Sequence, residues 1–518
     1  MNNVKKSKLS ILGVAAQAGL AALLMGLPCA LQQSASAIGA GDADTAFNAF
    51  NSAYLVNSGG QTYYTHSLSN RSNDGTWTEA LSIQGAEDYC ERVGTPSSQT
   101  LVNNLCTTFI AVNPPPWSWD GYNDDIGWDS LILIRGYQLT GNTALLNAAE
   151  SGFNFAFSRG WDTQYNGGGI WEQQPNMTPA GQTVDKEALS NDSLGLVALM
   201  IYQSTGNTTY LNESNEIYNW VWNTIFNPAT GQVYTGVVEN GTVNTGTALY
   251  NQGCFIDYAA LYYKLTGNSN YLRDAQNAVT FSQNNLMSNG ICSNGATYLN
   301  TWAPEFARGL GHLVRWNPSL LNTYYTFMTN NANAAWGCRR TDYNVSWNEW
   351  TTQTPTNTDI LANWDVGMVA MLQFTPPINN TIWGSHLIVN KLTGMAVDNG
   401  SSTTQGAGVI QWGANGGASQ KWYFTQNSDT SWNIVNADSG MNLDDPNNST
   451  TNGTQMIQWG SNGGSNQKWW VDVQSDGTYK IWNQYSSDAL DGSSSTTNGY
   501  ALIQWGWNGG TQQRWLLE

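Results

Sequence analysis

The sequence predicts two domains of different class, an all-α (α/α)6 toroid followed by an all-β β-trefoil. Three observations carry this: a Tyr-x-x-Thr-Gly-Asn repeat in the first part of the chain, a Gln-x-Trp repeat in the last part, and a loss of helical periodicity between them.

The first repeat reads Tyr137-Gln-Leu-Thr-Gly141-Asn, then Tyr202-Gln-Ser-Thr-Gly206-Asn, then Tyr263-Lys-Leu-Thr-Gly267-Asn, with glycines 65 and 61 residues apart. Each copy follows an apolar helical stretch such as Leu194–Ile201 and precedes another such as Tyr271–Ala278. Gly-Asn therefore stops one helix and turns into the next, glycine supplying the left-handed residue that ends it. One helix pair per roughly 60 residues leaves room for six pairs between about residues 41 and 376. A closed ring is expected over an open array, because a solenoid would show more regular copies and distinct caps.

A short polar linker follows at Thr375-Pro-Pro-Ile-Asn-Asn-Thr381. Beyond it Gln411-Trp412…Gln420-Lys-Trp422 recurs as Gln458-Trp459…Gln467-Lys-Trp469 and as Gln504-Trp505…Gln513-Arg-Trp515. The spacings of 47 and 46 residues make three β-rich units, too few for a propeller to close, and a pseudo-threefold trefoil is expected. The divisions read as 41–374 for the helical domain, 375–383 for the linker and 384–518 for the trefoil.

Residues 1–37 read as a secretory signal. Lys5, Lys6 and Lys8 precede an apolar run, and Ala35-Ser36-Ala37 supplies small residues before a cleavage site. A secreted, extracellular protein is expected (a periplasmic one is compatible), with no membrane association once the signal is removed. Of the cysteines left, Cys90–Cys106 and Cys292–Cys338 are plausible disulfides and Cys254 a buried thiol.

Only 11% of residues are charged, against 25 Trp, 24 Tyr and 53 Gly, and the formal charge is −18. A field of that sign repels nucleic acid and anionic membranes and suits a neutral polymer. Three histidines and no cluster with zinc spacing point to no metal and no cofactor. A monomer is expected.

Within this frame one stretch stands out: Trp117-Ser-Trp119-Asp120-Gly-Tyr122-Asn-Asp124-Asp125-Ile-Gly-Trp128-Asp129. Paired carboxylates can divide the nucleophile and acid duties of glycosidic cleavage, and aromatic faces stack on sugar rings. Adjacent residues inside a helix point about 100° apart, so the pair is expected at a bend or helix cap. A helix from Leu131 onward would then favour the ionised form of the nucleophile. Read without its surroundings, Asp-Asp before a helix is an ordinary N-cap.

This region resembles glycoside hydrolase family 76, the α-1,6-mannanase family. The resemblance runs through Tyr122-Asn-Asp124-Asp125-Ile-Gly-Trp128, Gly167-Gly-Gly-Ile-Trp171, Lys186-Glu-Ala-Leu-Ser-Asn191 and Tyr250-Asn-Gln-Gly253. It implies a retaining hydrolase acting on α-mannan, with Asp124 as nucleophile and Asp125 as general acid/base. Trp119, Tyr122, Trp128, Trp171, Tyr250 and Asn251 are the candidate substrate contacts, Trp128 reading equally well as core, while Arg308 reads as a surface ion pair ahead of a residue that positions a hydroxyl. The chain departs from the family at Asp129 and Glu172, where many members carry a second Trp. A toroid that only binds mannan is a second reading, and transfer of the glycosyl group to another sugar a third.

The last 135 residues resemble the ricin B-type lectins. That resemblance implies one shallow sugar site per lobe, an Asp accepting hydroxyl bonds and an aromatic ring stacking: Asp398 with Trp412, Asp444 with Trp459, Asp491 with Trp505. Ile410, Ile457 and Ile503 stand where many members have a polar residue, and the lobe-stapling cysteines are absent.

Overall fold

A computed structural model describes residues 38–518 apart from 40, 174–184, 293–302, 378–381, 383, 428, 430 and 475. The expected export signal lies outside the described residues. No helix among them is long and apolar enough to cross a membrane.

Twelve α-helices among the described residues build the first part: α1 Asp42–Tyr54, α2 Trp77–Val93, α3 Pro96–Val112, α4 Asn123–Thr140, α5 Thr143–Gly160, α6 Ala188–Thr205, α7 Thr208–Thr224, α8 Leu249–Thr266, α9 Ser269–Asn285, α10 Ala303–Trp316, α11 Leu321–Gly337 and α12 Ala362–Phe374. Helix α2 packs on α4, α4 on α6, α6 on α8, α8 on α10, α10 on α12, and α12 back on α2. The inner ring is closed. The other six lie outside it, α1 completing the pair with α12.

Sequence explains which helices go inside. In α6 every residue from Ala188 to Ile201 is buried, as a helix walled in on all sides requires. Outer α7 and α9 bury one face only. At the α8–α10 crossing Gly253 and Gly309 face each other, and a Cβ on either would strike the opposing backbone.

Each letter of the first repeat has a task. Gly141, Gly206 and Gly267 sit at φ 72°, 70° and 66° and close α4, α6 and α8 by donating their N–H to the Tyr137, Tyr202 and Tyr263 carbonyls at 2.8 Å. The following Asn142, Asn207 and Asn268 cap α5, α7 and α9, accepting from the second helical N–H at 3.0–3.1 Å. The threonines before each glycine accept from the Asn N–H groups at 3.1–3.3 Å.

The second part is a closed barrel of six antiparallel strands. Gly384–Asn390 pairs with Lys421–Gln426, which pairs with Trp432–Asn436, then Trp469–Val473, then Tyr479–Asn483, then Trp515–Leu517, which returns to the first. Three hairpins complete the threefold pattern. In each Gln-x-Trp, the indole donates to a strand carbonyl: Trp422 to Val397, Trp469 to Leu443 and Trp515 to Leu490, at 2.9–3.1 Å. The glutamine clamps the preceding Asn-Gly-Gly loop, as Gln420 does by accepting from Asn415 N–H at 2.7 Å and donating to the Gly413 carbonyl at 3.0 Å. All six are buried core residues.

The trefoil touches the ring where the inner helices end. Gly94, the left-handed cap of α2, lies under the ring of Tyr423, and Gly440 lies against Pro96.

The expected disulfides are not formed. Cys90, Cys106 and Cys292 are free thiols buried in the helical core, while Cys338 is disulfide-bonded but not to Cys292. Order along the chain said nothing of which helix faces these sulfurs share. Cys254 is a buried thiol, as expected.

Candidate active site

The start of α4 is built by its neighbours. Asp120 Oδ1 accepts from the Tyr122 N–H at 2.9 Å, closing a turn, and Tyr122 then pairs as an isolated bridge with Gln173. Asn123 opens the helix and locks it: its N–H donates to the Glu172 carbonyl at 2.7 Å and its Nδ2 to the Trp171 carbonyl at 2.7 Å. Its Oδ1 accepts from Arg159 Nε at 2.7 Å, and Arg159 Nη1 donates to the Asp120 carbonyl at 2.7 Å.

Asp124 and Asp125 follow in the first turn of α4, 9% and 5% exposed. The helix begins eight residues earlier than the sequence suggested, so the pair lies inside it rather than at a bend before it. Every Cα–Cβ bond tilts toward the helix N-terminus, so both side chains lean toward the end of the ring where α4 begins. The positive end of the helix dipole there also favours a carboxylate.

Other acids gather at this end. The strand Asp185–Glu187, paired with Gly236–Val238, leads into α6 with Glu187 as its N-cap residue. Burial, and then the charges of Asp124 and Asp185, push the Glu187 carboxyl up to about 8. Tyr250, in the first turn of α8, has its phenol raised by burial and by Glu187, Asp124 and Glu172. Asp124, Glu172, Asp185, Glu187 and Tyr250 thus share one electrostatic neighbourhood on the rim where α4, α6 and α8 begin. Glu172, Asp185 and Glu187 were missed as site residues. The signal for Glu187 was present, an acid immediately before an apolar helix start.

The aromatic candidates separate. Trp119 is 55% exposed and presents a free ring. Tyr122 is half-buried beside the pair. Trp128 is 1% exposed in the core of the ring and offers no face to a sugar, which corrects the expectation of a platform. It lies one helical turn deeper than Asp124 on a helix that is buried all round, a fact that follows from ring closure and not from local pattern. Trp171 is largely buried: its Nε1 donates to Asp162 Oδ2 at 2.8 Å, and Lys186 Nζ lies 5.0 Å from its ring centre. Asn251 is 1% exposed, and both its side-chain polar atoms lack a hydrogen-bond partner.

Arg308 is no surface ion pair. Buried inside the ring, it grips Asp88 with Nε and Nη2 at 2.9 and 2.8 Å and Glu305 with Nη1 at 3.0 Å. Arg135 joins Asp88 at 2.8 Å, and His312 bridges Asp257 at 2.8 Å and Glu91 at 3.0 Å. This network ties α2, α4, α8 and α10 together.

In the trefoil, Trp412, Trp459 and Trp505 are 40%, 38% and 43% exposed. Asp398, Asp444 and Asp491 are buried beside them on the paired hairpin strands. Asp444 Oδ2 accepts from Asn466 and Gln467 at 2.9 and 2.8 Å, and Asp398 Oδ1 from the Gly400 N–H at 2.7 Å.

A ring of six helical hairpins with carboxyl groups gathered at one mouth, followed by a trefoil, is the build of a glycosidase with a sugar-binding module. The family model described as glycosyl hydrolase family 76 matches residues 40–379, and the chain belongs to that family. A ricin-type β-trefoil lectin domain-like model matches residues 363–459 and 418–505. Among curated proteins the chain is similar to the mannan endo-1,6-alpha-mannosidases DCW1 of Candida glabrata, at 28% identity over 34% of this chain and 42% of that one, and of Saccharomyces cerevisiae, at 28% over 37% and 44%. The matches thus span less than half the length of these relatives. Among solved structures it resembles an inactive variant of the α-1,6-mannanase of Salegentibacter sp. HEL1_6, crystallised with α-1,6-mannotetrose. The TM-score there is 0.57 at 21% identity, over 65% of this chain and 98% of that one. That variant carries alanine in place of two successive aspartates.

Proposed function

We propose that this chain is a secreted, monomeric, retaining endo-α-1,6-mannanase, held on its polysaccharide by the trefoil, with the catalytic domain spanning 41–374 and the binding domain 384–518. The observation that carries this reading is the pair Asp124–Asp125 in the first turn of an inner helix, at a mouth lined by further acids. The inactivating change in the Salegentibacter mannanase, at two successive aspartates, supports it.

Asp124 would attack the anomeric carbon while Asp125 protonates the departing glycosidic oxygen. Asp125 then takes a proton from water, which releases the sugar from Asp124 with configuration retained. The helix terminus favours the ionised Asp124. An ionised carboxylate disfavours a second charge beside it, as the acid role requires. Trp119 and Tyr122 would carry sugar rings at the mouth. Coupling a weak trefoil contact to the cleft raises the local concentration of cleavable chain.

The test is turnover of linear α-1,6-mannan by the wild type, Asp124→Asn and Asp125→Asn, with product length and anomer followed by NMR. Each variant should lose at least ~100-fold, with the first-formed product keeping the α configuration. Unchanged turnover in either variant removes the assignment. Products longer than the starting oligomer would instead favour transfer over hydrolysis.

A further inference from the structure

The register of the trefoil defines one outward-facing row per lobe, crossing four paired strands and ending at the exposed tryptophan. In the first lobe it reads Leu516, Val389, Ala396, Trp412. In the second it reads Tyr423, Val435, Asn442, Trp459. In the third it reads Trp470, Trp482, Ala489, Trp505. Directly paired residues project from the same face of a sheet, and the alternate residues Ile481 and Leu490 fill the core. The three rows are equivalent by pseudo-symmetry, yet only the third is aromatic at three of its four positions.

The third lobe breaks the symmetry again. Trp507 stands where the other lobes have Ala414 and Ser461, and it is 36% exposed. Lys480 Nζ lies 4.4 Å from the centre of Trp482 and 5.2 Å from that of Trp507. Trp482 Nε1 donates to Asp472 Oδ2 at 2.7 Å, and the Trp470 ring lies 6.1 Å away. The indole of Trp482 is therefore held in place before any ligand arrives.

We propose that the third lobe holds an extended saccharide subsite, in which Trp482, flanked by Trp470, stacks one ring of a neutral hexopyranose chain whose neighbouring residues lie on Trp505. This rests on the reading of the trefoil as a polysaccharide-binding module. Trp482 and Trp505 are two strand separations apart, roughly 10 Å, on either side of the fully buried Ala489. Trp482 is half-buried and Trp505 exposed, two rings a disaccharide step apart, where Val435 and Asn442 give the second lobe no such pair. The carboxylates Asp472 and Asp491 on the same face accept hydroxyl bonds. The chain's charge of −18 disfavours a polyanion. The equivalent of Trp470 in the second lobe, Tyr423, is covered by Gly94 of the helical ring, so of the aromatics at that position only Trp470 is left for a ligand.

The experiment uses the full chain carrying Asp124→Asn and Asp125→Asn, titrated calorimetrically with α-1,6-linked mannose oligomers of one to six residues. Trp482→Ala should weaken the longer oligomers about 3- to 10-fold, the value of one stacked ring, and leave mannose unchanged. Trp482→Tyr should restore most of the loss. If Trp482→Ala binds every oligomer like its parent while Trp505→Ala is weakened, the extended subsite is wrong and the trefoil reading stands. If Trp412→Ala, Trp459→Ala and Trp505→Ala all match the parent, both are wrong. A change in oligomeric state on Trp482→Ala with glycan binding unaltered would assign the row to contact between copies and overturn the proposal.

Discussion

Arg159 donates its Nε hydrogen to Asn123 Oδ1 at 2.7 Å, one residue ahead of the aspartate pair. Through this contact the end of an outer helix fixes the opening turn of an inner one. Asn123 also donates to the Trp171 carbonyl, so a single amide joins three segments of the mouth. Asn123→Ala removes the anchor and touches neither carboxyl group. A displacement of the order of an ångström at a reacting group costs up to ~100-fold. We expect kcat on mannan oligomers to fall 10- to 100-fold in a protein that still unfolds cooperatively, with stability lower by about 1–3 kcal/mol. Wild-type kcat in this variant would count against the anchoring role.

Glu187 gives a pH signature of defined sign. Its folded carboxyl is raised from 4.5 to about 8 by burial and by Asp124 and Asp185. Between those values the folded chain holds a proton that the unfolded chain has released, so this group makes stability fall as pH rises through that window. Glu187→Gln removes the slope, and its advantage over wild type in urea denaturation should grow from pH 5 to pH 8. The alkaline limb of kcat/KM should also move, because wild type gains a charge beside Asp124 near pH 8. Parallel stability curves for the two proteins would refute the raised carboxyl.

The guanidinium of Arg308 bonds Asp88 and Glu305 inside the ring. Removing one member of a buried ion pair leaves the others uncompensated, at about 3–5 kcal/mol. Arg308→Met should lower unfolding free energy by that amount. Adding Asp88→Asn should return part of it, which distinguishes stranded charge from lost packing. A loss under ~1 kcal/mol would mean that water reaches the network.

Gly94 carries the trefoil contact. At φ 59° and beneath the Tyr423 ring it has room for no side chain. Gly94→Val combines a strained left-handed residue, about 1–3 kcal/mol, with loss of the aromatic seat. X-ray scattering should show a larger radius of gyration, while kcat on short oligomers stays near wild type because the site lies at the other end of the ring. An unchanged scattering curve would show that Tyr423 is not what seats the trefoil.

Much of this was legible along the chain because its information is local and repeated. Thr-Gly-Asn marks helix ends by backbone chemistry that operates within five residues, and the glutamine of Gln-x-Trp clamps a loop five to seven residues back. The aspartate pair was visible because two acids amid aromatics are rare in a chain with 11% charge. The corrections came where distance in sequence hides proximity in space. Trp128 could be read as platform or core until six helices closed around it, and Arg308 looked like a surface charge until Asp88, 220 residues away, met it inside the ring.

Sequence alone therefore settled the two architectures and their order, since helix stops and loop clamps are written in short repeated motifs. Tertiary structure alone decided which tryptophans present a face, which acids share Asp124's field and where the trefoil sits. Those depend on ring and barrel closure, which brings residues hundreds of positions apart within a few ångströms and sets the burial that shifts their protons.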